Sequence, residues 1–92
     1  MVQTFVKTYQ AKYSAVPDAL AALGYDAMNV MLDSIQRAGA TDGEKVRDAM
    51  KATDLKTVTG QVKFDQDRNP VKSAVIIEIK GGKQVFKTTV NP

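Results

Sequence analysis

Apolar residues along this chain follow two periods: a helical one as far as residue 52, and an alternating one in the last third. In residues 3–13, Phe5, Val6, Tyr9 and Tyr13 share one side while Gln3, Lys7, Gln10 and Lys12 point the other way, which predicts a first helix. It ends before Pro17, because a proline ring drives the residue ahead of it, Val16, toward extended backbone. A second helix over residues 19–38 has both ends marked. Asp18 can accept from the first free backbone N–H groups, and Gly39 follows the last periodic residue. Its apolar stripe runs through Leu20, Leu23, Ala27, Met31, Ile35 and Ala38, with Met28 and Leu32 beside it. Asn29, Asp33, Gln36 and Arg37 hold the other side, so the stripe is expected to lie against a core with the polar side in water. Thr41 or Asp42 caps a third helix over residues 43–52, with Val46, Ala49 and Met50 inward.

Residues 57–64 alternate in part and read as one extended segment, with Val58, Val62 and Phe64 apolar and Gly60 marking a bend or bulge. A turn follows over residues 65–70. Residues 72–80 and 83–90 form the clearest element, a hairpin whose Gly81 and Gly82 supply the positive φ angles of a type I′ turn. Through a two-residue turn, Lys80 stands opposite Lys83 and Glu78 opposite Val85. That register aligns Val75, Ile77 and Ile79 with Phe86 and Thr88, on the face expected to meet the helices. The fold class is therefore α+β: three helices followed by a three-stranded antiparallel β-meander.

Composition narrows the function mainly by exclusion. With 43% hydrophobic and 25% charged residues over 92 positions, the chain is globular, and a single domain over residues 1–92 is expected. Asp18, Asp26 and Asp33 interrupt the longest apolar run, well short of the roughly 18 residues of a membrane span, so no membrane insertion is expected. The opening MVQTFVKTYQAK has no apolar signal-peptide core. The absence of cysteine removes disulfides, thiolate nucleophiles and the usual structural zinc sites. The absence of histidine removes the commonest general base and metal ligand. No catalytic residue, cofactor or metal ligand is assigned, and the chain is read as no enzyme.

Net charge of +3 raises nucleic acid as a partner. The lysines argue against it, since Glu44, Lys45, Arg47, Asp48 and Lys51 mix on one short helix, as on a solvated face. Lys72, Lys80, Lys83 and Lys87 cluster on the last hairpin, but Glu78 lies diagonal to Lys83 and Lys87. They read as charges that keep strand edges from pairing with other chains. Asp65, Asp67 and Asn69 alternate like the opening of a calcium loop. The pattern then fails, with Pro70 at the obligatory glycine and Ile76 at the bidentate glutamate, and Asx turns account for it better.

One resemblance covers nearly the whole chain. A lysine- and tyrosine-bearing helix end (FVKTYQAKY) is followed by Pro17-Asp18, ALAALGYDAMNVMLDSIQRAG, TDGEKVRDAMKAT, VTGQVKFD, a polar turn, a strand, Gly81-Gly82 and a last strand. In order and spacing this resembles the C-terminal part of the type I periplasmic (extracellular) solute-binding proteins, the branched-chain amino acid receptors of ABC importers. The resemblance implies two α/β lobes closing over an amino acid, of which this chain holds lobe-one support and hinge elements. The loops that grip the ligand's carboxylate and ammonium would lie upstream of residue 1. It also places Leu20 at the inter-lobe cleft as a ligand-binding residue, with Leu23 one turn on, although ordinary core packing explains both leucines as well. The implied partners are a small amino acid and the membrane subunits of the importer, and the implied location of the parent is periplasmic or extracellular.

In the resembled fold the second helix and the hairpin pack against elements outside these 92 residues. Leu20, Leu23, Met28, Met31 and Leu32 are therefore expected to keep apolar surface unmatched, and a homodimer, with or without an exchanged segment, follows. Two function classes stay open: a solute-receptor fragment that does not bind ligand by itself, and a stand-alone self-associating or protein-interaction module.

Overall fold

Local backbone chemistry sets the helix ends in the computed structural model, which describes residues 1–92. Helix α1, Val2–Tyr13, stops where Ser14 turns left-handed at φ 56° and donates its N–H to the Gln10 carbonyl at 2.8 Å. Helix α2, Ala19–Ala38, begins at Asp18, whose side chain accepts from the Ala21 N–H at 2.8 Å. It ends at Gly39, whose φ of 68° is costly for a residue with a Cβ. Helix α3, Gly43–Lys51, is capped by Asp42 rather than Thr41: its Oδ1 accepts from the N–H groups of Glu44 and Lys45 at 3.1 and 3.2 Å.

The strands divide differently from the expected meander. Strands β1, Asp54–Thr57, and β2, Gly60–Lys63, form one two-stranded antiparallel sheet; β3, Ala74–Lys80, and β4, Lys83–Val90, form another. The segment read as one extended run over residues 57–64 instead reverses at Val58 and Thr59, with Gly60 at φ 118°. Asp26 takes the N–H groups of Val58 and Thr59, so they are not available to a continuing strand. Between the sheets the backbone makes a bridge from Phe64 to Pro70 and a bond from the Val71 N–H to the Lys63 carbonyl at 2.8 Å, and Lys72 Nζ donates to the Thr59 hydroxyl.

In the second hairpin, Gly81 and Gly82 take positive φ, and Lys80 pairs with Lys83, Glu78 with Val85 and Ile77 with Phe86, as the two-residue turn requires. A bulge between Ile76 and Ile77 then shifts the register, so Val75 meets Thr89 and Thr88 moves to the other face. No helix covers the Val75, Ile77, Ile79 and Phe86 face, whose members are 52–65% exposed. This corrects the expected packing of that face on the helices.

Helix α2 is also turned relative to expectation. Its buried line is Asp26, Val30 and Ser34, four residues apart, and it faces α3 and the β1–β2 hairpin. Val46, Val62, Thr53 and Thr57 complete the buried set, seven residues in all. The Leu20 to Leu32 stripe faces outward, and its large members are 40–77% exposed, as the unmatched-surface expectation anticipates. The polar line wins the interior because it alone meets the backbone groups that the turn and α3 leave open. Helix α1 has no buried residue and attaches through Phe5, whose ring lies 4.8 Å from that of Tyr25. No helix is long and apolar enough to cross a membrane.

Candidate functional site

Two polar nodes hold α2 in place, one joining it to the Val58-Thr59 reversal and one to α3. At the first node, Asp26 Oδ1 accepts from the Val58 N–H at 3.1 Å, and Oδ2 accepts from the Thr59 N–H at 2.8 Å and its hydroxyl at 2.6 Å. Lys72 Nζ donates to the same hydroxyl. Burial raises the carboxyl pKa, but the hydrogen bonds, led by those from Thr59, outweigh it and hold Asp26 below its ordinary value.

At the second node, Arg37 joins α2 to α3. Its Nη1 donates to the Ala49 carbonyl at 2.7 Å and its Nη2 to the Thr53 hydroxyl at 3.1 Å, while Nε donates to Asp33 at 2.9 Å. The Ser34 hydroxyl donates back to the Val30 carbonyl at 2.7 Å, closing the polar line along the helix. Neither node is set up for reaction, because the oxygens and N–H groups involved are already paired. They place the turn and α3 against the helix.

Leu20 and Leu23 sit on the first two turns of α2, just past the Asp18 cap, 77% and 46% exposed. Both are open to solvent. Three concavities lie elsewhere. One of about 450 Å³ is lined by Arg47, Lys51, Phe64 and Arg68. Another of about 500 Å³ is lined by Phe5, Tyr9, Tyr13 and Tyr25. A third of about 340 Å³ lies between Asn29, Leu55 and Val58. Neither leucine lines any of the three. In the turn read as an Asx turn, Asp65 Oδ1 accepts from the N–H groups of Asp67 and Asn69 at 2.8 and 2.9 Å.

Sequence reasoning placed Arg37 on the solvent side and took Asp26 only as a break in an apolar run. A signal for both was present: Asp26, Val30, Ser34 and Arg37 recur at helical spacing, and Thr59 supplies a hydroxyl donor to the carboxylate. The competing apolar stripe is larger, and it masked this line.

A periplasmic binding protein family model matches residues 1–84. The chain is similar to the leucine-binding protein LivK of Thermotoga maritima, with 38% identity and a TM-score of 0.81, over 99% of this chain and 26% of that one. It is similar to the branched-chain amino acid transporter substrate-binding protein LivJ of Streptococcus pneumoniae, solved with isoleucine, at 33% identity and a TM-score of 0.82, over 99% and 26%. A solute-binding protein of an ABC transporter from R. palustris, solved with benzoate, matches at 30% identity and a TM-score of 0.81, over 98% and 26%. The chain thus spans about a quarter of the length of each of these relatives.

Proposed function

Since this chain belongs to the periplasmic binding protein family, we propose that it serves as the C-terminal part of an ABC-importer substrate-binding protein for branched-chain or related amino acids. The observation that carries this reading is the similarity over 99% of the chain, at a TM-score of 0.82, to LivJ solved with isoleucine. In the parent, residues 1–92 act as one unit that supplies lobe support, hinge crossings and one wall of the cleft. Leu20, with Leu23 one turn on, meets the aliphatic side chain of the ligand. Capture is by closure of two lobes, with no covalent step, and the loaded receptor delivers its ligand to the importer's membrane subunits. The parent works in the periplasm or outside the cell.

The 92 residues alone hold no amino acid, because a small-molecule site is a concave pocket of about 300–1,000 Å³ that encloses most of its ligand, and α2 offers one side. The test is a thermal shift with isoleucine, on this chain alone and on a receptor that carries it at full length. The receptor's Tm should rise, by an amount set by RT ln(1 + [L]/Kd), and the chain's should stay put. In the receptor, Leu20→Asp should weaken isoleucine about tenfold or more, since a buried charge would meet the aliphatic ligand. An unchanged affinity removes Leu20 from the cleft, and a shift in the isolated chain contradicts the incomplete-site reading. The outward stripe of α2 favours a second reading, a stand-alone self-associating or protein-interaction module, for which neither protein would respond to amino acids.

A further inference from the structure

We propose that the link between Lys72 and Ser73 is a joint between two bodies of this chain, and that the Thr59 hydroxyl is the positioning group that pins it by tying Lys72 to Asp26. The proposal concerns how the chain holds its shape and stands apart from ligand capture. The two bodies are set by burial. All seven buried residues lie in α2, α3, the β1–β2 hairpin or Thr53 between them, and none lies in β3 or β4.

Hydrogen bonds change sides between two adjacent residues. Val71 donates its N–H to the Lys63 carbonyl at 2.8 Å, and Lys72 reaches the Thr59 hydroxyl, so both are held to the β1–β2 side. The next residue, Ser73, donates its hydroxyl to the Asn91 side chain at 2.8 Å, across the open end of the β3–β4 hairpin. A link of this kind, between the last residue fixed to one body and the first fixed to the other, is where a hinge takes up backbone rotation.

The pin has a fixed chemical order. The Thr59 hydroxyl carries one hydrogen and gives it to Asp26 Oδ2 at 2.6 Å, so toward Lys72 it only accepts, while an ammonium only donates. Ammonium, hydroxyl and carboxylate therefore stand in one directed row, ended at each side by a charge, which strengthens both bonds. Lys72 belongs to none of the five ion pairs, whereas Lys63, Lys80 and Lys87 each pair with an acid directly. Its tie to a carboxylate thus runs through Thr59. Asp26 is 4% exposed and fixed to α2, which makes it a rigid post for that tie. The backbone contacts between the sheets, the Phe64–Pro70 bridge and the Val71 bond, both end before Lys72 and leave the joint itself free to turn.

The test is double electron–electron resonance between nitroxides on paired cysteines, which this cysteine-free chain accepts without background. Gln36→Cys with Gln84→Cys spans the joint, and Gln36→Cys with Lys45→Cys reports on the α2–α3 body alone. The spanning pair should give one narrow distance distribution. Thr59→Val, and separately Lys72→Met, should roughly double its width, Thr59→Ser should keep it narrow, and the double variant should add nothing to either single one. The body pair should stay the same throughout, a result that a merely structural role for Thr59 would not give. A spanning distribution that is already broad without these substitutions, or one that Thr59→Val or Lys72→Met leaves narrow, overturns the proposal. Equal broadening of both pairs overturns it as well, since Thr59 would then support the body rather than the joint.

Discussion

Asp26 shows how much of this chain hangs on single polar residues. It is one of only seven buried positions and the sole anchor between α2 and the Val58-Thr59 reversal. Asp26→Ala would strip three accepted bonds and leave two N–H groups short of a partner, so a loss of about 2–3 kcal/mol is expected in urea unfolding. The carboxyl's pKa is lower folded than unfolded, so its contribution is fully present above the ordinary aspartate value and is lost as pH falls through the folded value. The urea midpoint should therefore fall on acidification below about pH 4, and Asp26→Asn should flatten that limb. Arg68 carries a different cost. It sits at φ 68° in the Asp65 turn, in the region that glycine enters freely, so Arg68→Gly should raise stability by about 1 kcal/mol in the same measurement.

Among the elements, α2 and α3 are joined by a specific clamp, whereas the β3–β4 hairpin stands by itself. Arg37 reaches the Ala49 carbonyl near the C-terminal end of α3, where a cation also meets the negative end of the helix dipole. A lysine has one point charge and cannot serve Ala49, Thr53 and Asp33 together, so Arg37→Lys should cost about 1–2 kcal/mol, read from the urea midpoint. The hairpin has a well-defined register, yet a two-stranded sheet without a covering layer is marginal in water. Its amides should exchange with solvent faster than those in the middle of α2, as hydrogen exchange by NMR would record. Equal protection in the two would mean that something in solution covers the hairpin.

The whole molecule is thin and open. Its extents are 51 × 34 × 16 Å and its radius of gyration is 15.8 Å, against about 12 Å for a compact domain of this length. This is the shape of a section of a larger body, in keeping with the 26% of each relative that the chain covers. Apolar surface left in water in the folded chain cannot add to the heat capacity on unfolding. Calorimetry at concentrations low enough to keep one copy per particle should therefore give ΔCp below the about 1.1–1.4 kcal/mol/K that average per-residue values give for a domain of this size. A value within that range would require a more closed folded state.

Sequence alone determined the three helices, the caps of α2 at Asp18 and Gly39, the Gly81-Gly82 hairpin and the family, while the structure chose Asp42 over Thr41 as the cap of α3. Each of these depends on interactions within a few residues, or on an order of motifs that survives without its surroundings. Periodicity reads Leu20 and Leu23 only as apolar residues at a helix start, and their proposed place at a cleft comes from the family resemblance, because a cleft wall is defined by what stands across from it. Tertiary structure alone decided that β1 and β2 close into their own hairpin and that Asp26, Val30 and Ser34, not the leucines and methionines, are the buried residues of α2, with Arg37 at the surface clamped to α3. Periodicity tells which side chains share a helix face, but which face is buried is settled by the partners at long range. Here the partners on hand were unsatisfied N–H and carbonyl groups, and a buried polar group must be paired whereas an exposed leucine can wait for a cover.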